Sequence, residues 1–423
     1  MKKIIAIFLS IIIIVLIIIY FSIWSTPAKV ASQIIVNTEN INTLNFKEQD
    51  SVTIAVTTMY EGNMLKNMVQ GEQYRDEWAI PVKVPVVFLD TLNGGLTIIK
   101  KGGGHQTQSL RLKNPKGIYY TLRSVAKNPE PLIPEFAKTL GIENIIIDGI
   151  SAQHPYGAIV VAKLAESISI LHTHPSLVFV PKQERLGKYN TKYGNKLYWL
   201  EYETEGPTNW TDIENVKEIV DTDKLQKLKK QLGNDLNIKK EELVRNRLFD
   251  LVIGDWDRHA KQWGWVLQQR EDKFLAIPLP GDRDNAFFST DGVIPTIVSS
   301  KNIQPRLRSF EKEIDYIPGL VYPFDRYFLL NIPIEIFIEQ AEFIQNNLTD
   351  QAIEEALHIW PKEIYKLHGA EIKTNIIARR GQLVAYAKAF KKEIDRQGIL
   401  HEPLKGSDDV VLSKELLECF DCR

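Results

Sequence analysis

Cysteine is almost missing from this chain: two occur in 423 residues, both in the C-terminal "ECFDCR". With no second pair elsewhere, Cys419 and Cys422 cannot complete a zinc site, and no disulfide framework replaces a hydrophobic core. They read as a strained local disulfide or an inert tail. An excess of either charge is missing too. Lys+Arg number 52 against Asp+Glu 53, a formal net charge of -1, so no global basic field points to nucleic acid and none is expected as a partner. Internal repeats are absent, and so are low-complexity tracts beyond one N-terminal run. What remains is 44% hydrophobic and 25% charged, in a length that holds one large domain or two lobes.

The N-terminal run is the clearest physical signal. Lys2 and Lys3 precede "IIAIFLSIIIIVLIIIYFSIW", uncharged from Ile4 to Trp24. At 1.5 Å per residue, about 20 apolar residues span a hydrocarbon core of roughly 30 Å. A signal peptide has a shorter apolar region of about 7–15 residues, which favours an uncleaved anchor, although "STPAKVA" leaves cleavage open. The lysines stay cytoplasmic, and Tyr20 and Trp24 suit the far interface. The expectation is a single-pass protein of the cytoplasmic membrane, anchored by residues 1–24, with its body on the exported (periplasmic or extracellular) side.

Residues 25–75 are polar and weakly periodic, and read as a stalk and lead-in. Strand-like runs follow at Leu96–Lys101, Gln106–Leu112 and Ile118–Val125, the first two flanking Gly102-Gly103-Gly104. Helix-like segments "PEFAKTLG" and "PYGAIVVAKLAESISI" come next, then a strand signal "NKLYWLEYE" that ends in the Gly/Pro break "TEGPTNW". Beyond the break the chain reads as mostly helical. "IKKEELVRNRLFDLVIG" carries an apolar face with Gly254 placed to end it, and "WGWVLQQREDKFLAIPL" is a hairpin pattern around "REDK". The division expected is 76–205 for a small lobe, 206–405 for a large helical lobe and 406–423 for a tail.

Charge concentrates in "LFDLVIGDWDRHAKQWGW", where Asp255, Asp257, Arg258, His259, Lys261 and Gln262 sit beside Trp256, Trp263 and Trp265. The tryptophans read as core and pocket wall, sealing one side of a charged cleft. A hairpin follows the loop, and "PGDRDNAFF" follows the hairpin, so Asp257 and Asp282 stand at its two mouths. Phosphoryl transfer needs such a layout. One carboxylate positions the attacking hydroxyl, a second holds the metal, and an oxygen ligand a few residues past the first holds the metal's other side. Gln262, five residues after Asp257, is the candidate for that oxygen here. The Gly-rich hairpin with Arg123 and Lys127 after it matches how a kinase small lobe covers and clamps phosphates. Glu135, Glu143 and Asp148 are the candidate acidic partners of that cation, and Glu201 and Glu203 in "WLEYE" border a candidate adenine-binding hinge. "HTHP" at 172–175 suits an exposed strand or turn better than a metal site.

"GDWDRHAKQ" followed by "IPLPGDRDNAF" resembles the catalytic segments of the atypical protein-kinase-like superfamily, which includes HipA-type kinases, spore-coat CotH kinases and the secretory-pathway kinases that act on exported proteins. The same stretch looks like an uncharacterised domain of Bacteroidota envelope proteins. The resemblance implies an α+β, two-lobed protein-kinase-like fold behind the N-terminal transmembrane helix. It implies Asp257, Arg258 and His259 in the catalytic loop, Asp282 as main metal ligand with Asp284 as the alternative, and Gln262 where the family usually has Asn. Gly102, Gly103, Gly104, Arg123, Lys127 and Glu201 would face the nucleotide. The implied cofactors are ATP or another nucleotide with Mg²⁺ or Mn²⁺, and the implied partner is an envelope protein or other envelope acceptor. A catalytically inactive kinase-like scaffold in the envelope is the alternative.

Overall fold

A computed structural model of the chain describes residues 2–24, 34–35, 41, 44–102, 107–128, 130, 133–139, 141–404 and 411–422. The fold mixes helices with three sheets, and period-2 alternation sets what each sheet buries. Strands β1 (Ile34–Ile35), β2 (Ser51–Ala55) and β3 (Val82–Pro85) form a small antiparallel sheet. Strands β4 (Thr97–Lys101), β5 (Ser109–Lys113), β6 (Tyr119–Ser124), β7 (Ser176–Val180) and β8 (Lys196–Tyr202) form an antiparallel sheet in the order β4-β5-β6-β8-β7. Leu110, Leu112, Tyr120, Leu122, Tyr198 and Leu200 make a dry cluster on one of its faces. The alternate residues Thr121, Arg123, Glu201 and Glu203 share the other face, because successive side chains leave a strand on opposite sides.

Part of the segment 25–75, expected as a stalk, belongs instead to the body. Ile54, Val56, Met59, Tyr60 and Tyr74 lie in the main core. Lys66 is fully buried 2.9 Å from Asp148, which Arg75 also grips. Buried charges that satisfy one another weaken the apolar periodicity, which is why the stretch reads as polar lead-in.

The helix Lys240–Ile253 runs through the core, and Gly254 stops it at φ +70°, donating its N–H to the Asp250 carbonyl. A Cβ at Gly254 would stand 2.7 Å from Phe310 Cδ2, so both the backbone angle and the packing require glycine. The expected hairpin is β11 (Trp263–Arg270) and β12 (Lys273–Pro280), closed by Arg270↔Lys273 around Glu271 and Asp272. Two strands within the stretch expected to be mostly helical join it: β9 (Val216–Asp221) pairs with β11, and β10 (Leu236–Ile238) lies parallel to β12. Trp263 and Trp265 are buried under the hairpin, and the Trp263 ring stacks on Phe324 at 4.6 Å. Such a pair adds about 0.5–1.5 kcal/mol beyond its burial.

The remainder is largely helical, including Ile334–Asn347, Asp350–Leu357, Ala370–Gly381 and Leu383–Gln397. Thr349 caps the second of these, its Oγ1 accepting the Ala352 N–H at 3.1 Å. Cys419 and Cys422 form a disulfide, and the tail around them is not inert. Phe420 is 1% exposed, and Asp421 lies 3.0 Å from both Lys229 and Lys240.

At the other terminus Lys2–Trp24 is one helix, of which Lys3–Ser22 is long and apolar enough to cross a membrane. A second stretch of suitable composition, Glu143–Ser167, is mostly buried in the protein. The N-terminal helix ends against the body, where the Gln70 side chain donates to Ser22 Oγ at 3.3 Å.

Candidate active cleft

The hairpin ladder decides which loops meet. It pairs down to Trp263↔Pro280, and the Gly281 N–H extends it to the Gln262 carbonyl at 2.9 Å. Loop 255–262 and the segment from Asp282 onward therefore leave the same mouth side by side. The connector after β8 lies across this mouth. The Thr204 carbonyl oxygen would be 2.0 Å from a Cβ at Gly264, so only glycine lets these backbones approach.

A cleft of about 890 Å³ opens between the mouth and the charged face of the five-stranded sheet. Asp257, His259 and Gln262 line it from the loop, Asp282 and Asp284 from the segment after the hairpin, and Arg123, Lys127 and Glu201 from the sheet side. Lys127 Nζ sits 2.6 Å from Asp284 Oδ2, and Arg123 reaches Glu201 at 2.7 Å, Asp284 at 3.4 Å and also Asp282. Burial alone would lower the Arg123 pKa, but Glu201 and Asp284 outweigh it and hold the guanidinium above its ordinary value. Burial likewise would raise Asp284, yet Lys127 and Arg123 pull its pKa down. Both side chains are aimed at the carboxylates. Asp282 is the accessible one, its side chain 45% exposed, and it holds a left-handed φ of +54°. Backbone strain of this kind collects at sites that a surrounding structure must enforce.

Asp257 lies in a loop, not in helix, and is oriented by its neighbours. Gln262 Nε2 donates to its Oδ2 at 3.3 Å, and the Tyr322 hydroxyl approaches Oδ1 at 3.5 Å. Beneath the loop, Asp250 gathers the guanidinium groups of Arg247 (2.7 Å), Arg283 (2.9 Å) and Arg258 (3.2 Å). Burial would raise the Asp250 pKa, but the three arginines together lower it. Asp255 behaves oppositely. Burial pushes its carboxyl up to about 8, with Arg258 opposing and Asp250 and Asp257 adding to the rise. Its Oδ1 accepts the Asp257 N–H at 3.2 Å, so it caps the loop that presents Asp257.

Several expected roles change on this geometry. Arg258, grouped with the catalytic residues, is 0% exposed and absent from the cleft lining. It ties Asp250 to the Gly281 carbonyl (2.9 Å) and so joins the two mouths of the hairpin as a positioning residue. Glu201, expected to border an adenine hinge, lines the cleft and partners Arg123 on the sheet face, with Thr173 donating to it at 2.6 Å. Two of the three candidates named for that partnership are engaged elsewhere: Asp148 with Lys66 and Arg75, Glu135 with Lys138. Of the tryptophans, only Trp256 lines the cleft, edge-on to Phe288, while Trp263 and Trp265 are core. Gly102 ends β4 with its N–H on the Ser109 carbonyl, and the hairpin reaches the cleft through Thr107. Gly103 and Gly104 lie outside the described residues. Thr173, Tyr322 and Arg283 were not singled out by the sequence. Only Arg283, inside "GDRDNAF", carried a local signal.

No protein-family model matches this chain, and no curated protein matches it in sequence, so the envelope-domain resemblance finds no support there. Solved structures do match. One is the proinflammatory kinase CtkA of Helicobacter pylori, at 13% identity and a TM-score of 0.35, covering 68% of this chain and 95% of that one. Another is a chain of the Shewanella oneidensis MR-1 toxin–antitoxin complex of HipA, HipB and operator DNA, at 13% identity and a TM-score of 0.36, covering 74% and 77%. Likeness this distant assigns no residue a role.

The donor chemistry of the cleft limits what it can hold. Among the described residues no three or more His, Cys, Asp or Glu side chains converge as a metal cage. Asp282, Asp284 and Gln262 offer two carboxylates and one amide oxygen, all hard donors. Such a set suits Mg²⁺ or Mn²⁺, which take one or two protein carboxylates and leave other positions to water and phosphate. As oriented, Gln262 turns Oε1 to Arg258 and Nε2 to Asp257, so ligation by its oxygen requires the amide to turn over.

Proposed function

We propose that this chain is a membrane-anchored, two-lobed kinase-like protein, with an exported body that transfers a phosphoryl or nucleotidyl group from a nucleotide to an envelope acceptor. The observation that carries the reading is the meeting of Asp257 and Gln262 with Asp282, Asp284, Arg123 and Lys127 around one cleft, from three separate stretches of chain. Asp257, steadied by Gln262 and Tyr322, orients the acceptor hydroxyl and takes its proton. Arg123 and Lys127 move from the carboxylates to the phosphates when a nucleotide enters, a short exchange of partners for charges already desolvated. That exchange frees Asp282 and Asp284, with Gln262, to hold Mg²⁺ or Mn²⁺. The metal, when bound, neutralises charge on the phosphate oxygens.

A second reading has its own support. With Arg123 and Lys127 already neutralising Asp282 and Asp284, the cleft is electrostatically satisfied without any ligand, as suits an inactive scaffold. Calorimetric titration of the protein with ATP, with and without Mn²⁺, separates the two. The transferase reading expects binding that strengthens with the metal; an absence of heat under both conditions selects the scaffold.

A further inference from the structure

The same cleft has an apolar end. Ile145 and Ile146 line it from the helix Glu143–Asp148, and Ile294 and Val298 from the helix Val293–Val298, with Leu307 beyond. None of these is needed to bind phosphates or a metal. Their place relative to the N-terminal helix gives them a use. The end of that helix packs on Glu143–Asp148 and on the helix Met64–Gln70, which in turn packs on Val293–Val298. Gln70 joins the two regions directly, since it lines the cleft and also donates to Ser22 Oγ of the apolar helix. The rim is apolar too: Met64 is 89% exposed, Met68 56%, Val293 54% and Ile297 57%. On soluble surfaces such residues are scattered singly; here they sit on two packed helices beside a segment long enough to cross a bilayer.

We infer that the acceptor is an amphiphile drawn from the bilayer, a hydroxyl-bearing lipid whose chain lies along Ile145, Ile146, Ile294, Val298 and Leu307 while its head reaches Asp257. This rests on the anchored-transferase reading above and names its substrate class. The head hydroxyl oxygen forms the new bond to the terminal phosphorus of a nucleoside triphosphate. The bond from that phosphorus to the bridging oxygen breaks, the diphosphate leaves with the electron pair, and the hydroxyl proton passes to Asp257. A soluble protein acceptor would have no need of an apolar channel that begins one side chain from the membrane helix.

The test uses the full chain in vesicles of phosphatidylethanolamine and phosphatidylglycerol, the latter carrying a photoactivatable diazirine on one acyl chain. After irradiation, adducts are mapped by mass spectrometry. They are expected on residues 143–150 and 293–307 as well as on the helix Lys2–Trp24. Val298→Asp and Ile294→Asp, at part-exposed positions outside the core, should reduce the cleft adducts about tenfold or more, as expected for a carboxylate placed against a buried chain. Ile294→Leu should restore them, and Ile297→Asp on the outer rim should leave them. Adducts confined to the membrane helix, or cleft-segment adducts lost with Ile297→Asp but not with Val298→Asp, overturn the lipid site. ATP titration of the same samples keeps the two ideas apart. Nucleotide binding without cleft adducts removes the lipid acceptor and leaves the transferase; cleft adducts without nucleotide binding remove the transferase, and the acceptor role with it, and leave a lipid-binding cleft.

Discussion

The Lys127 ammonium lies 2.6 Å from the Asp284 carboxylate, tying the end of the five-stranded sheet to the segment after the β11–β12 hairpin. Asp284 is largely buried in this pair, whereas its neighbour Asp282 is half-exposed, so the two carboxylates differ in what their loss costs. Asp284→Ala leaves Lys127, 9% exposed, without its carboxylate, a loss of about 3 kcal/mol, the lower end for a broken buried pair. Asp282→Ala removes a half-exposed carboxylate at a cost of about 1 kcal/mol or less. Thermal denaturation of both variants checks the order. Equal melting temperatures would show that the Lys127–Asp284 pair does not hold the sheet to the segment after the hairpin.

Arg123 and Lys127 should both matter to nucleotide affinity. Replacing either by alanine is expected to weaken ATP binding by about 1.5–3 kcal/mol, the range for hydrogen bonds to charged groups. Titration calorimetry reads this directly. Unchanged affinity in both variants would make the sheet face ordinary structure.

Much of the local architecture was legible in the sequence. The helix ending at Gly254, the hairpin around Glu271 and Asp272, and the alternation in β6 and β8 all follow from short-range patterns. What was not legible depends on distant partners. Glu201 finds Arg123 across a strand pairing, and Asp250 looks like an ordinary helix charge until Arg258 and Arg283 fold back onto it. Strands β9 and β10 are short and exist because the hairpin offers them edges. Lys66 and Arg75 read as lead-in charges because Asp148, which buries them, lies far along the chain.

Asp255 predicts a pH dependence. Its folded pKa, about 8, lies above that of an unfolded carboxyl near 4, so between those values the folded state keeps a proton the unfolded state has released. The stability it contributes is complete at low pH and falls as pH rises through that window. Asp255→Asn removes the titration and retains an acceptor for the Asp257 N–H. Urea denaturation at pH 5 and pH 9 should show the variant gaining on the parent at the higher pH. A difference that is flat or reversed would mean that Asp255 stays ionised beside Arg258.

Topology is tested separately. A reporter fused after Arg423 is expected to be active only if it functions in the exported compartment, because the positive-inside rule would keep Lys2 and Lys3, at the other end of the apolar helix, on the cytoplasmic side. Activity of a cytoplasm-only reporter would overturn the orientation.

The central claim is that the two mouths of one hairpin carry different steps of a transfer reaction, and Asp257→Ala compared with Asp282→Ala tests it most directly. Binding of ATP with Mn²⁺ and release of product are measured on the parent and both variants. Asp257→Ala should bind nearly as the parent does and fail to turn over, since its role arises only along the reaction path. Asp282→Ala should lose the metal-dependent part of binding itself. If both variants bind as the parent does, or the parent binds no nucleotide with metal present, the transferase account is contradicted and the scaffold reading stands.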